Sequence, residues 1–526
     1  MLKEHTETMT KITDITHKIK EYSEGRINAQ ELDREFLSYM ENSAEYRREN
    51  SSTLGEAFEN GISDRDLNRY PYYYMSAISK LADDPSIMED IVRMCLDDDN
   101  LTKENKYYIY CQIITFKFVN KEFDTSEIKE LLDDLYEDIF NDYLKENMDL
   151  CVPIDKSQRN DDLVIILIAQ VLGLEHGPTK TLFDRASVLQ EKMDKKVFII
   201  NTADVLTPNN SVPWFGAMGA NYVEKYSDID ALEYNGVDFS FFQCPRTMPD
   251  TGIIRIIMQI VQEEKPWCIV SLGTANITAD LCSRIVPTLT INLGFSDLAE
   301  TRCQYQAVGR DICEADRQWM SKHSLPESHY IESLFTFSLK PQTLHLTRKD
   351  LGIQEEVPVC IVIGGRLFAE VDDEFVRLVL RLGEAGIHVA FAGYFGTYDD
   401  FASRYPKFSD TTYNLGFVED ILAVCECCDI YINPKRAGGG TSIVEAMFKG
   451  LPALTLNYGD VARSAGPEFY VTDYDDMYNH AIKLIQDSDY YQEMSDRSKA
   501  RAALVMDSET EFVRIMNKMW SDKGFF

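Results

Sequence analysis

From Asp162 onward, short apolar runs alternate with helical or polar stretches: LVIILIAQ, KVFIINTAD, VDFSFFQCP, WCIVSLGT and PTLTINLGF. Runs of this length bounded by turn formers are strands, and their alternation with helical spacing predicts a parallel sheet with crossover helices. A polar segment, Leu346 to Pro358 (LTRKDLGIQEEVP), interrupts the pattern, which restarts with VCIVIGGR, IHVAFAGYF, TTYNLGF, CDIYIN and PALTLN. Upstream of about Leu150 the spacing is helical. Asp84-Pro85 is a capping residue with Pro at the first helical position, after which Ile87, Ile91, Met94 and Cys95 share a face. Ile128, Leu131, Leu132, Leu135 and Ile139 repeat that spacing, and the aromatic YPYYYM (Tyr70 to Met75) reads as core, with a partner surface as the alternative. The pattern therefore predicts three parts: an all-helical 1–155, a Rossmann-like 156–346, and a second Rossmann-like unit with C-terminal helices over 347–526. Two open α/β sheets facing each other leave a cleft outside the carboxyl ends of their strands.

Composition narrows what such a cleft holds. With 53 Lys and Arg against 87 Asp and Glu the formal charge is −34, which argues against nucleic acid and anionic membrane surfaces, since both are bound through clustered cations. The longest apolar run, Leu163 to Ala169, is far below a membrane span, and the N-terminal MLKEHTETMTKITD lacks a signal peptide's apolar core. A cytoplasmic protein is expected. Twelve Cys are scattered through the chain, and the cluster Cys425, Cys427 and Cys428 lacks a second ligand pair at metal spacing, so core packing is expected and no metal.

Residues Asn433 to Pro452, NPKRAGGGTSIVEAMFKGLP, carry the most chemistry. A strand-length run, CDIYIN, precedes them, and SIVEAMFKG has helical spacing ending at Gly450, so Gly438, Gly439 and Gly440 sit where a strand hands over to a helix. A glycine turn at a helix N-terminus suits an anion, because backbone N–H groups and the positive end of the helix dipole converge there. Thr441 and Ser442 add hydroxyls, and Glu445, a turn further on, suits the two hydroxyls of a ribose. A nucleoside diphosphate is the ligand this order fits. A P-loop or a dinucleotide fingerprint would also put glycines here, but the chain has neither GxxxxGK[ST] nor a GxGxxG opening either α/β half.

From about Thr347 to Gly466 the chain resembles the nucleotide-binding domain of GT-B glycosyltransferases. TRKDLGIQEEVPVCIVIGGRLFAEV looks like that family's lead into the domain, where an Arg after the first strand reaches the donor diphosphate; here it is Arg366. NLGFVEDILAVCECCDIYINP looks like the Gly-Phe/Tyr-Val segment whose backbone holds the base, at Phe417 and Val418. The glycine turn, with Glu445 as the ribose carboxylate, and GLPALTL complete the match. Many retaining enzymes of glycosyltransferase family 4 also carry a Glu eight residues before the ribose carboxylate and a Lys five after the Arg, where this chain has Ala437 and Val371. Lys435 and Arg436 stand close enough to the glycines to supply the missing cation, with exposed loop cations as the alternative. GGGTSIVE is also similar to the phosphate and ribose loop of family 41, which includes O-linked N-acetylglucosamine transferase and bacterial cytoplasmic protein N-glycosyltransferases.

In the first α/β half, LGLEHGPTKTLFDRA (Leu172 to Ala186) follows the first strand at the cleft, with Thr179 expected to begin the next helix. His176 is the candidate general base, since an imidazole of near-neutral pKa can take a proton from an acceptor hydroxyl. Lys180 is a second candidate for the phosphates, or a solvated helix charge. Asp228-Ile229-Asp230 matches the DxD by which GT-A enzymes hold a metal, but in an acidic chain it reads as a surface loop. The resemblance implies a UDP-sugar as co-substrate, no cofactor, and transfer of a hexose or N-acetylhexosamine to a protein or glycan. Ala437 and Val371 leave open a non-catalytic GT-B module that binds glycosylated chains or stabilises an active partner, and the helical region is a candidate surface for an oligomer or partner protein.

Overall fold

The computed structural model describes residues 87–119, 128–174, 176–204, 222–293, 298–334, 336 and 338–522, with isolated positions between 14 and 76. The Asp84-Pro85 cap lies outside the described residues, and of YPYYYM only Tyr72 and Met75 are described. Tyr72 is buried.

Among the described residues the first sheet has eight strands: β1 (Asn160–Ile168), β2 (Lys196–Asn201), β3 (Ala231–Tyr234), β4 (Val237–Gln243), β5 (Pro266–Leu272), β6 (Thr288–Ile291), β7 (Tyr305–Val308) and β8 (Tyr330–Glu332). Their order is β3-β4-β2-β1-β5-β6-β7-β8, parallel except for the antiparallel pair β3 and β4. The apolar runs mark β1, β2, β4, β5 and β6; β3 and β7 are short and broken by Glu233 and Gln306, and β8 is three residues, so none of them stands out. Asn235 and Gly236, both at positive φ, turn β3 into β4, and Asn-Gly between two extended segments is the sequence signal that would have found that hairpin.

Side chains alternate across β1, so its two faces bury different partners. Val164, Ile166 and Ile168 share a core with Leu182 and Leu189 of α4 (Gly177–Met193). Ile165 and Leu167 share another with α1 (Ile87–Asp97), α2 (Lys103–Val119) and α3 (Lys129–Asn147). The expected helical region is thus helical where described, and α1 to α3 share the first sheet's core. Its seams are polar as well as apolar: Tyr136 donates to Asp280 at 2.6 Å, and Arg302, 4% exposed, bonds Glu137 at 2.6 Å.

The second sheet holds β9 (Val359–Ile363), β10 (His388–Ala392), β11 (Thr412–Gly416), β12 (Ile430–Ile432), β13 (Ala453–Leu456) and β14 (Tyr470–Val471), all parallel, in the order β11-β10-β9-β12-β13-β14. Its own core includes Cys425 and Cys428, and Cys427 donates through sulfur to the Leu346 carbonyl at 3.3 Å.

The last described helix, Ser508–Ser521, follows the second unit in sequence but packs on the first: Phe512, Ile515, Met516 and Met519 lie in the core with α4. The reading that kept it with 347–526 changes on this point, because its apolar stripe is complementary to a helix more than 300 residues upstream. The chain therefore crosses between the units twice, and both crossings are fastened at Asp184 of α4. Asp184 accepts from Ser338 at 2.5 Å and from Ser508 at 2.8 Å, while pairing with Arg185 at 2.5 Å. On the far side, Thr343 and Leu344 donate their N–H groups to Asp420 of the second unit. Arg185 is 2% exposed, so Asp184→Asn, which removes its buried counter-charge and keeps its shape, is expected to cost about 2 kcal/mol. Urea unfolding measures this as a lower midpoint, and an unchanged midpoint would remove the fastening role.

Candidate functional site

In the second sheet the strand order runs in opposite directions from the neighbours β9 and β12, which pair in parallel with Tyr431 opposite Ile361. Loops leaving the carboxyl ends of two such strands diverge, and open α/β sheets receive ligands in that gap. Arg366 follows β9 and the glycine turn follows β12, so the two elements expected to hold phosphate meet at the switch point.

The turn leads into α5, here the helix Gly440–Phe448. Its first amides have no intrahelical acceptors, and the dipole adds partial positive charge there. Gly439 caps it at φ +95°, and a Cβ at that position would lie 2.6 Å from Arg436 Nη2. Both the backbone angle and the arginine beneath exclude a side chain. A Cβ on Gly438 would lie 3.4 Å from Arg366 Nη2, which puts that guanidinium against the turn. Gly440 packs on the helix Gly459–Ala465, where a Cβ would meet Ser464 Oγ at 2.7 Å.

Arg436 is 3% exposed, so it is not the loop cation that the sequence allowed. Nη1 donates to Glu370 at 2.9 Å, and Nη2 to the Ile363 carbonyl at 2.8 Å, Tyr431 at 3.0 Å and Ser442 at 3.4 Å. Nε is buried without a hydrogen-bond partner. Burial opposes its charge, but Tyr431 and Glu370 outweigh burial and hold its pKa above the usual value. The expectation of direct phosphate contact changes accordingly: Arg436 supports the turn from below. Ser442 is buried in the same way, its hydroxyl donating to the Gly439 carbonyl at 3.0 Å, so it braces the turn.

The other candidates divide by position. Lys435 is exposed, with its ammonium 5.4 Å above the Tyr458 ring and its N–H donating to Tyr474. Thr441 and Glu445 are half-buried in α5, and Glu445 lies near enough to Cys425 to help burial raise that thiol's pKa. Phe417 is 78% exposed and Val418 packs on the core, both beyond the end of β11. Two strand spacings, about 10 Å, separate them from β9. Sequence reasoning missed Glu370, four residues after Arg366 and bonded to it at 3.3 Å; the i,i+4 pairing of opposite charges was the available signal.

On the first sheet the strand order diverges from β1 and β5, and the segment with His176 follows β1. His176 caps α4 and Gly177 begins it, so Thr179 sits inside the first turn. Thr179 is fully buried; its hydroxyl accepts the Leu172 N–H at 2.9 Å and stands 3.0 Å from His176 Nδ1. The ring is held by that contact, and burial lowers its pKa. Lys180 is half-buried one residue later. Asp228 and Asp230 are exposed before β3, and among the described residues no group of three His, Cys, Asp or Glu is arranged for a metal.

The model of the family described as glycosyl transferases group 1 matches residues 361–487, which span β9 through the helix after β14. Among solved structures, an O-GlcNAc transferase mutant from Thermobaculum terrenum superposes with TM-score 0.53 at 12% identity, covering 98% of each chain. A glycosyltransferase from Rickettsia africae superposes with TM-score 0.50 at 11% identity, covering 69% of this chain and all of the other. No curated protein matches in sequence. At these identities the superpositions establish the arrangement of the two sheets, that of the GT-B fold.

Proposed function

We propose that this chain, a GT-B glycosyltransferase by its fold and its group 1 segment, transfers a hexose or N-acetylhexosamine from a UDP-sugar to a protein or glycan acceptor. One observation carries the donor reading: the Arg366 guanidinium lies against Gly438 at the N-terminus of α5, between adjacent strands at the switch point. A cation and a set of convergent amides there would take the diphosphate and stabilise it as it leaves. Glu445 would take the ribose, the backbone at Phe417 and Val418 the base, and Thr441 and Lys435 flank the phosphates.

His176 is the acid–base candidate of the other unit. With the ring proton on Nδ1, donated to Thr179, Nε2 is left to accept the proton of the acceptor hydroxyl. Transfer of an N-acetylhexosamine agrees with the superposition on an O-GlcNAc transferase over nearly the whole chain. Transfer within the cytoplasm agrees with the dispersed free cysteines and with the lack, among the described residues, of a helix able to cross a membrane.

The test is calorimetric titration with UDP, then assay of donor hydrolysis and transfer. Glu445→Ala is expected to weaken UDP binding by about 1 to 3 kcal/mol, the loss of one or two charge-assisted hydrogen bonds. Equal affinity in mutant and parent would remove Glu445 from the site. A parent that binds UDP but turns over no donor with any acceptor would instead support the non-catalytic module.

A further inference from the structure

The buried cluster under the glycine turn contains more than a support. Glu370 ends the short helix Leu367–Glu370, and its two carboxylate oxygens are divided between two arginines. Oε2 holds Arg436 Nη1 at 2.9 Å, and Oε1 holds Arg366 Nη2 at 3.3 Å. The two bonds are unequal in more than length. Arg436 is locked by three further acceptors and is 3% exposed, whereas the Arg366 side chain is 31% exposed and lies against Gly438. Charge-assisted N–H···O bonds settle near 2.7 to 2.9 Å, so the Arg436 bond is a full one and the Arg366 bond is stretched. Gly364 is part of the same arrangement, because a Cβ there would run into Arg436 Nη1 and stand 3.2 Å from Glu370 Oε2.

We propose that Glu370 is a displaceable counter-ion of the donor site: it orients Arg366 over the glycine turn and yields it to the diphosphate, remaining bound to Arg436. This rests on the donor reading of the turn. Glu370 offsets part of the positive charge that the two guanidiniums bring to the helix N-terminus. A diphosphate arriving there competes with Glu370 for Arg366, and the exchange is possible because Arg436 keeps Glu370 partnered when Arg366 leaves. Without Arg436, releasing Arg366 would strand a largely buried carboxylate. Glu370 therefore lowers affinity for the diphosphate, for donor and for product nucleotide alike, and acts as a positioning residue through Arg366.

The sign of one measurement separates this from a purely structural role. Glu370→Gln keeps an acceptor oxygen for Arg436 and removes the competing charge. It is expected to bind UDP and inorganic pyrophosphate about tenfold more tightly, the scale of one unit charge a few ångströms away in a partly solvated site. Uridine, which has no phosphate, should bind as it does to the parent. The gain should shrink as ionic strength rises, and it should vanish in the Arg366→Gln background if it acts through that residue. Glu370→Asp, which keeps the charge beside Arg436 and shortens the reach toward Arg366, should shift affinity in the same direction and covers the case in which the Gln variant does not fold. Equal or weaker UDP binding by a folded variant, in a parent that binds UDP, overturns the counter-ion role alone. Failure of parent and variants to bind UDP or pyrophosphate overturns the donor reading and the counter-ion role together.

Discussion

Replacing His176 with Ala is expected to lower turnover by about 10² to 10⁴-fold, the usual contribution of a positioned general base, while UDP affinity stays near that of the parent. The separation follows from the topology: His176 follows β1 of the first sheet, whereas Arg366, the glycine turn and Glu445 all belong to the second. The pH dependence carries the same information. Burial lowers the His176 pKa, and the neutral ring is the form that accepts a proton, so it prevails above that pKa. The acid limb of kcat/KM should accordingly fall below the usual histidine value near 6.5, with activity lost as pH drops through the lowered value. Thr179→Val, which frees Nδ1, should shift or flatten that limb with little effect on UDP affinity. Unchanged turnover in His176→Ala would return the ring to its capping position on α4.

Arg436→Ala should have the largest effect on stability, about 3 to 5 kcal/mol, because it leaves Glu370 with its main buried partner removed. The Ile363 carbonyl and the Tyr431 hydroxyl would lose a donor as well, and Gly439 would lose the surface beneath it. UDP binding should fall with stability even though Arg436 does not itself reach the outer face of the turn. Thermal or urea unfolding alongside UDP titration checks both halves. A variant of parental stability that had lost UDP binding would argue for direct phosphate contact instead.

The longer strands buried on both faces were readable, because such strands are continuous apolar runs that stand apart from helical spacing; VCIVI of β9 is fully buried, whereas the equally buried YQAV of β7 was not, because Gln306 breaks so short a run. Strands of two to four residues at the sheet margins, such as β3, β8 and β14, were not, since so few residues carry no periodicity. The glycine turn was legible because glycine is needed wherever the backbone takes positive φ, and that need is written in residue type. The exposure of Arg436 was not legible. A loop arginine between a lysine and a glycine turn reads as solvated, and only the meeting of β9 and β12 brings Glu370, 66 residues away, beneath it.

By itself, the sequence determined two α/β units, the glycine turn between β12 and its following helix, and the placement of Arg366 and Glu445 relative to it. These properties are local: strand, turn and helix signals extend over a few residues, and backbone geometry alone converts them into a direction and a charge. Tertiary structure decided the rest. It put Ser508–Ser521 on the first unit, fastened both crossings to Asp184, merged the first helices with the sheet's core, and turned an apparent surface cation into a buried support paired with Glu370. Each of these depends on contacts between segments far apart in the chain, where burial and charge compensation are properties of the pair that meets and of neither residue beforehand.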